Sequence, residues 1–154
     1  MSISKYVRFM PIAQAFAAMS KDPSTKVGAV VLGPGYEVRS SGWNGAPRGC
    51  KADEDERFQQ RPEKYYWAAH AEANVLANAA RNGVSLDGCT MVVTAAPCMS
   101  CAKLIVQCGI KQVICPEPTG EFKERWAEDL TRARALFAEC DVRFIQLDVK
   151  RGKE

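Results

Sequence analysis

Residues 90–115 read Thr90-Met91-Val92-Val93-Thr94-Ala95-Ala96-Pro97-Cys98-Met99-Ser100-Cys101-Ala102-Lys103-Leu104-Ile105-Val106-Gln107-Cys108-Gly109-Ile110-Lys111-Gln112-Val113-Ile114-Cys115. Residues 90–94 are the clearest β run of the chain, short and rich in β-branched side chains. Residues 97–108 read as a helix, with proline at its start and Gly109 as its stop. Residues 111–115 return to a strand. A strand, a helix and a strand in succession place the chain in the α/β class.

The flanks extend this pattern. Residues 121–139 read as a long amphipathic helix with Phe122, Trp126, Leu130 and Leu136 as buried candidates, and residues 142–147 as a last strand. That helix is long enough for a crossover, so the last two strands lie parallel with a right-handed connection. Upstream, residues 69–80 carry helical patterning and stop at Asn82-Gly83. Ile3, Val7, Met10, Phe16 and Met19 recur with helix-like spacing over residues 3–20, and Asp22-Pro23 ends that helix. An apolar run at 27–32, the turn Gly33-Pro34-Gly35 and a returning strand at 38–43 form a hairpin. The order α-β-β-α-β-α-β-α-β gives a five-stranded mixed sheet with helices on both faces, in a single domain spanning residues 1–154. Residues 44–67 stand apart as an insertion loop. They hold Asn44-Gly45, Pro47, Gly49, an acidic run and Pro62 with no sustained apolar period, and loops of that length are often functional. From about residue 149 a frayed, basic tail is expected.

The chain of 154 residues has seven cysteines and one histidine. Metal sites with two histidines from one chain are excluded, and with them the HExxH proteases and three-histidine hydratases. The first residues lack the apolar core of a signal peptide, and no apolar run approaches the ~20 residues of a membrane span. A reducing cytoplasm is the expected compartment, with the cysteines as thiols, core residues or metal ligands. A net charge of +3 is too weak to argue for nucleic acid and is compatible with an anionic small molecule.

Two motifs carry chemistry. His70-Ala71-Glu72 opens one helix, and Pro97-Cys98-Met99-Ser100-Cys101 opens another. Cys98 and Cys101 lie on one helix face, at a positive dipole end that favours thiolates. With His70 they make three zinc donors and leave one tetrahedral position open, the catalytic rather than the structural pattern. Glu72 is offset by about 200° from His70 on a helix and does not share the ion as a ligand; beside the metal it is placed as a proton shuttle. A redox Cys-x-x-Cys pair would leave His-Ala-Glu unexplained. A closed structural zinc would need another cysteine, and a non-catalytic zinc module would not need Glu72. The combined pattern is the known signature of the zinc nucleobase deaminases, not something spacing alone reveals. The other five cysteines read as core or incidental thiols, with Cys50 in the long loop. Trp43, Tyr65, Tyr66 and Trp67 flank that loop, as pocket wall or as packing.

From about residue 5 to 148 the chain resembles the deoxycytidylate (dCMP) deaminase family. The resemblance rests on Asp22-Pro23-Ser24-Thr25-Lys26-Val27-Gly28-Ala29, Gly42-Trp43-Asn44-Gly45-Ala46-Pro47-Arg48-Gly49-Cys50, His70-Ala71-Glu72-Ala73-Asn74, Pro97-Cys98-Met99-Ser100-Cys101-Ala102-Lys103 and Gly109-Ile110. It implies a cytidine-deaminase-like three-layer α/β/α sandwich, a catalytic Zn²⁺, and conversion of dCMP to dUMP and ammonia, supplying dUMP for dTMP synthesis. It implies a homo-oligomer, commonly a hexamer, activated by dCTP with Mg²⁺ and inhibited by dTTP. By the same resemblance Glu72 is the acid–base group, and Ser24, Thr25 and Lys26 meet the 5′-phosphate. Asn44 bonds the 3′-hydroxyl, and Ala71 and Pro97 complete the substrate set. Asn44, Gly45, Arg48, Gly49 and Asn74 form the effector site. Two departures matter. No second histidine is present for a further structural zinc, and Pro116-Glu117-Pro118-Thr119-Gly120 lacks the tyrosine often found there, which leaves effector response and a wider substrate range (dCTP, modified dCMP) open. A tRNA adenosine deaminase or another cytidine- or guanine-type deaminase shares the zinc motif; the former would be expected to be more basic.

Overall fold

In the computed structural model, which describes residues 3–148, strands β1 (Gly28–Leu32) and β3 (Thr90–Val93) are buried at every position. A strand with two buried faces needs cover on both sides. The sheet runs β2-β1-β3-β4-β5, with β2 at Val38–Trp43, β4 at Gln112–Pro116 and β5 at Arg143–Leu147. β1 is antiparallel to both β2 and β3, while β3–β4 and β4–β5 are parallel. The mixed sheet with parallel last strands is therefore present, and β3–β4 adds a second parallel pair, joined by helix α5 (Met99–Gln107).

On one face lie α4 (Ala71–Asn82), α5 and α6 (Gly120–Glu139). Their Val75, Ala102, Ile105, Leu130 and Phe137 pack on Ala29, Val31, Met91, Val93 and Val113 of the sheet. On the other face Tyr6, Met10 and Ala13, from α1 (Ile3–Val7) and α2 (Met10–Ala17), cover Val30, Leu32, Val92 and Ile114. The result is the three-layer α/β/α sandwich. Among the described residues no helix is long and apolar enough to cross a membrane.

Three expectations change. The helix read over residues 3–20 breaks after Val7 and ends at Ala17. Pro11 is the cause: it has no N–H for the Val7 carbonyl four residues back, and its ring clashes there. The chain turns instead through Arg8 N–Lys5 O and Phe9 N–Tyr6 O bonds. The insertion is not structureless. It holds 3₁₀ turns at Ala52–Glu54 and Glu56–Phe58 and a helix, α3 (Glu63–Trp67), with Ala52 and Phe58 fully buried. Paired Gly45–Ala69 backbone bonds of 3.0 and 2.8 Å pin its two ends together. In α6 only Leu130 of the four candidates is fully buried; Ala133 and Phe137 take the other core positions, and Phe122, Trp126 and Leu136 are half-buried. The tail expected to fray from about 149 lies outside the described residues.

Close contact between α2 and β1 rests on one missing side chain. A Cβ on Gly28 would stand 2.1 Å from the Ala13 carbonyl oxygen and 2.3 Å from the Ala17 nitrogen, both backbone atoms. Gly28→Ala is expected to lower unfolding free energy by about 1–3 kcal/mol through overpacking. Urea denaturation reads this directly, and an unchanged midpoint would contradict the close crossing.

Candidate metal and active site

Two helices begin at the same place. His70 is the N-cap of α4, with extended backbone at φ −71°, ψ 155°. Cys98 is the N-cap of α5, at φ −72°, ψ 169°. An N-cap side chain ordinarily accepts a bond from a first-turn amide, and neither of these does. They face each other instead. His70 Nδ1 lies 3.5 Å from Cys98 Sγ and 3.4 Å from Cys101 Sγ. The three donor atoms fall within 4.8 Å of one another. Zinc at its usual bond lengths and tetrahedral angle separates nitrogen and sulfur ligands by about 3.6 Å. The donor set fits zinc in kind and in spacing.

The first amide of α5 is satisfied from another helix. Met99 N donates to Asp129 Oδ2 of α6 at 2.5 Å. Asp129 thus supplies the cap that Cys98 withholds, and fixes the backbone between the two thiols.

The electrostatics favour proton exchange here. Glu72 is 4% exposed, and burial pushes its carboxyl up to about 7, against the opposing pull of His70. The hydrogen bond from Cys101 is the main influence that draws the Cys98 thiol down to about 4, with His70 adding to it against burial. Cys101 is raised correspondingly, by that same bond and by burial. His70 is raised, chiefly by its bond to Cys98.

Glu72, His70, Ala71 and Cys98 line one cavity that opens to solvent. Thr25, Val27 and Asn44 contribute to the lining, as do Tyr65, Phe122 and Trp126 and the cations Arg61, Lys64 and Arg125. Asn44 is a tie between loop and strand. Its Oδ1 accepts from Val27 N and its Nδ2 donates to Thr25 O, each at 2.8 Å. Lys64, from α3, is 7% exposed and donates to Asp22 Oδ1 at 2.8 Å and to Ser24 Oγ. Burial works to raise Asp22, but the Lys64 bond and the Thr25 and Ser24 amides outweigh it and hold the carboxyl below its ordinary value.

The structure therefore gathers His70, Ala71, Glu72 and Cys98 with Thr25 and Asn44 around one cavity, and seats Cys101 against His70. Ser24, Lys26 and Pro97 lie outside the lining. Lys26 is exposed, Pro97 is buried, and the Ser24 hydroxyl is engaged by Asp22 and Lys64. Gly45, Arg48 and Asn74 line a separate hollow with Trp43 and Asn78, where Arg48 donates to Asn78 Oδ1 at 2.6 Å. Asn44 turns to the first cavity, and Gly49 lines neither.

Known proteins place this arrangement. The model of the cytidine and deoxycytidylate deaminase zinc-binding region matches residues 3–117. The chain belongs to that deaminase family. It is 40% identical over 152 residues to an uncharacterized deaminase in the luxG 3′ region of Aliivibrio fischeri, covering 96% of this chain and 98% of the relative. It is 37% identical over 149 residues to mouse deoxycytidylate deaminase, covering 94% and 80% respectively. The crystal structure of a dCMP deaminase from cyanophage S-TIM5 in complex with dCMP and dUMP superposes with a TM-score of 0.75 at 26% identity, covering 96% of this chain and 99% of that one.

In this deaminase the cavity walls were the part sequence reasoning missed. Phe122 and Trp126 repeat at i and i+4, a stripe that reads as core whether it faces a core or a cavity. Lys64 gave no signal, since a lysine is seldom buried unless paired, and its partner lies 42 residues away. Removing the cap is expected to loosen the metal. Asp129→Ala should weaken zinc retention by about 10- to 100-fold, the usual effect of losing a group that orients a ligand. Competition with a chromophoric chelator measures it; wild-type retention would show that Asp129 does not hold the Cys98–Cys101 turn.

Proposed function

We propose that the chain is a hydrolytic dCMP deaminase, converting dCMP and water to dUMP and ammonia at one zinc held by His70, Cys98 and Cys101. The observation that carries this reading is the buried Glu72 carboxylate beside a three-donor metal set that leaves a fourth position for water, in one cavity open to solvent. The name of the mouse relative and the nucleotides bound to the cyanophage relative support the choice of dCMP.

Bound zinc supplies the Lewis acidity that brings the attacking water's pKa down toward ~7. Glu72 accepts that water's proton as the oxygen adds to C4 of cytosine. It delivers the proton to N3, so the tetrahedral adduct forms without separated charge. Glu72 then takes the remaining proton from the C4 hydroxyl and gives it to the amine; the C4–N bond breaks, the C4 carbonyl of dUMP forms, and the amine leaves as ammonia. One carboxylate, kept out of bulk water, acts as base and then acid, so no histidine relay is required. Thr25, Asn44 and Ala71 contact the nucleoside, and Ser24 acts on the loop through Lys64.

The same reading includes a regulated homo-oligomer, a hexamer, in the cytoplasm, supplying dUMP for dTMP synthesis. The hollow at Gly45, Arg48 and Asn74 supports an effector site for dCTP with Mg²⁺ as activator and dTTP as inhibitor. Ammonia release with and without these nucleotides, alongside sedimentation, tests this; a rate and a mass that neither effector moves would remove the regulation.

Glu72→Gln is expected to keep zinc and lose about 10²–10⁴ in turnover, the usual contribution of a positioned acid–base group. Zinc content is read by emission spectroscopy and turnover by ammonia release from dCMP. A zinc-loaded Glu72→Gln protein with wild-type turnover would remove the shuttle.

A further inference from the structure

We propose that Arg61 and Arg125 form a two-guanidinium clamp for the 5′-phosphate, and so make a nucleoside monophosphate the preferred substrate over the nucleoside or the free base. The inference rests on the cavity at Glu72 being the deaminating site. It assigns the phosphate to the insertion and α6 rather than to residues 24–26.

Both arginines line the cavity that holds Glu72 and His70. Arg61 comes from the insertion, just before α3, and Arg125 from the start of α6. Both are solvent-exposed, so they stand at its open side. Neither is committed to a strong partner. The carboxylate of Glu121 is 3.9 Å from Arg125, and its side chain is 93% exposed; such a contact contributes little. Among the described residues Arg61 makes no ion pair within 4 Å. Its guanidinium lies over the Tyr65 ring at 5.8 Å. Stacking uses the guanidinium face and leaves its N–H edges for an anion.

Other cations nearby are occupied. Arg57 makes a forked bond to both Asp55 carboxylate oxygens and lies over Trp67. Arg48 is bonded to Asn78. Lys64 faces the same cavity but is paired with Asp22, which also lines it, so the two charges cancel. Lys26 is exposed outside the lining. The cations of the lining that are not held in a short ion pair are therefore Arg61 and Arg125.

The segments that carry the two arginines touch each other. Trp126, next to Arg125, meets the Tyr65 ring edge-on at 6.4 Å between centroids and Phe122 at 6.3 Å. The Tyr65 contact binds α6 to α3, and the three rings give the cavity an apolar wall in which a charge-assisted bond is less screened. Two guanidinium forks offer paired N–H donors to a phosphate with three terminal oxygens, the geometry arginine meets best. A nucleoside lacking the phosphate would leave both arginines unused. A free base would also forgo the loop contacts at Thr25 and Asn44.

The test is binding of dUMP and of deoxyuridine to the zinc-loaded protein by calorimetry. The proteins are wild type, Arg61→Gln, Arg125→Gln, the double variant and Lys26→Gln, each checked for zinc content and melting temperature. Each single arginine change is expected to weaken dUMP by about tenfold and the double by about a hundredfold, the scale of hydrogen bonds to a charged group. The ratio of dUMP to deoxyuridine affinity should collapse with them. Steady-state assays should show KM for dCMP rising far more than kcat falls, since the phosphate is held alike throughout the reaction. An unchanged ratio in the double variant, an equal loss for dUMP and deoxyuridine, or a collapse from Lys26→Gln alone would overturn the clamp. Wild-type protein that binds dUMP through the two arginines but releases no ammonia from dCMP would sink the deaminase reading and leave the clamp standing. Ammonia release from dCMP with the ratio unmoved would sink the clamp alone.

Discussion

The meeting of two helix starts, with His70 Nδ1 within 3.5 Å of both Cys98 and Cys101 sulfurs, is the constraint on which the rest depends. Both helices point positive dipole ends at one spot, an unfavourable arrangement unless negative charge lies between them. The thiolates, Glu72 and the Asp129 carboxylate supply it. Neither N-cap side chain caps its own helix, so α5 borrows Asp129 from α6. The cost at the helix ends is what leaves three donors free for a metal, and the sheet order makes the meeting possible. α5 leaves the end of β3, and α4 packs beside it on the same face.

The strand–helix–strand core was legible because its elements declare themselves locally. Residues 91–93 are apolar without interruption between two β-branched threonines, and Gly109 takes a left-handed φ of 78°, where a side chain is strained. The zinc donors were legible because His70 and the Cys98–Cys101 pair each stand at a helix start and together match the known signature of the zinc nucleobase deaminases. Other features were not, and for physical reasons. α3 spans five residues, too few for a 3.6-residue period to register. The break after Val7 follows from Pro11, whose effect falls on a carbonyl four residues earlier while the apolar spacing continues past it. Arg61 and Arg125 belong to no local pattern; only the fold brings them to one cavity.

The insertion changes character once its anchors are counted. It is pinned at its ends by the Gly45–Ala69 bridge, in its middle by the buried Phe58, and at α3 by the Lys64–Asp22 ion pair. A segment that reads as loop is a fixed wall of the site. The cysteine excess also resolves into two classes. Cys98 and Cys101 are held beside the sole histidine, while burial pushes Cys115 up to about 12 and leaves it inert as a thiol. The scarcity of histidine concentrates the metal chemistry in one place.

The most direct measurement is ammonia release by the zinc-loaded chain from dCMP, dCTP, deoxycytidine, cytosine and a tRNA hairpin, assayed side by side with and without chelation. The account predicts that dCMP is turned over fastest and that activity disappears with the zinc. No release from dCMP, or faster release from cytosine or the tRNA hairpin, would contradict it.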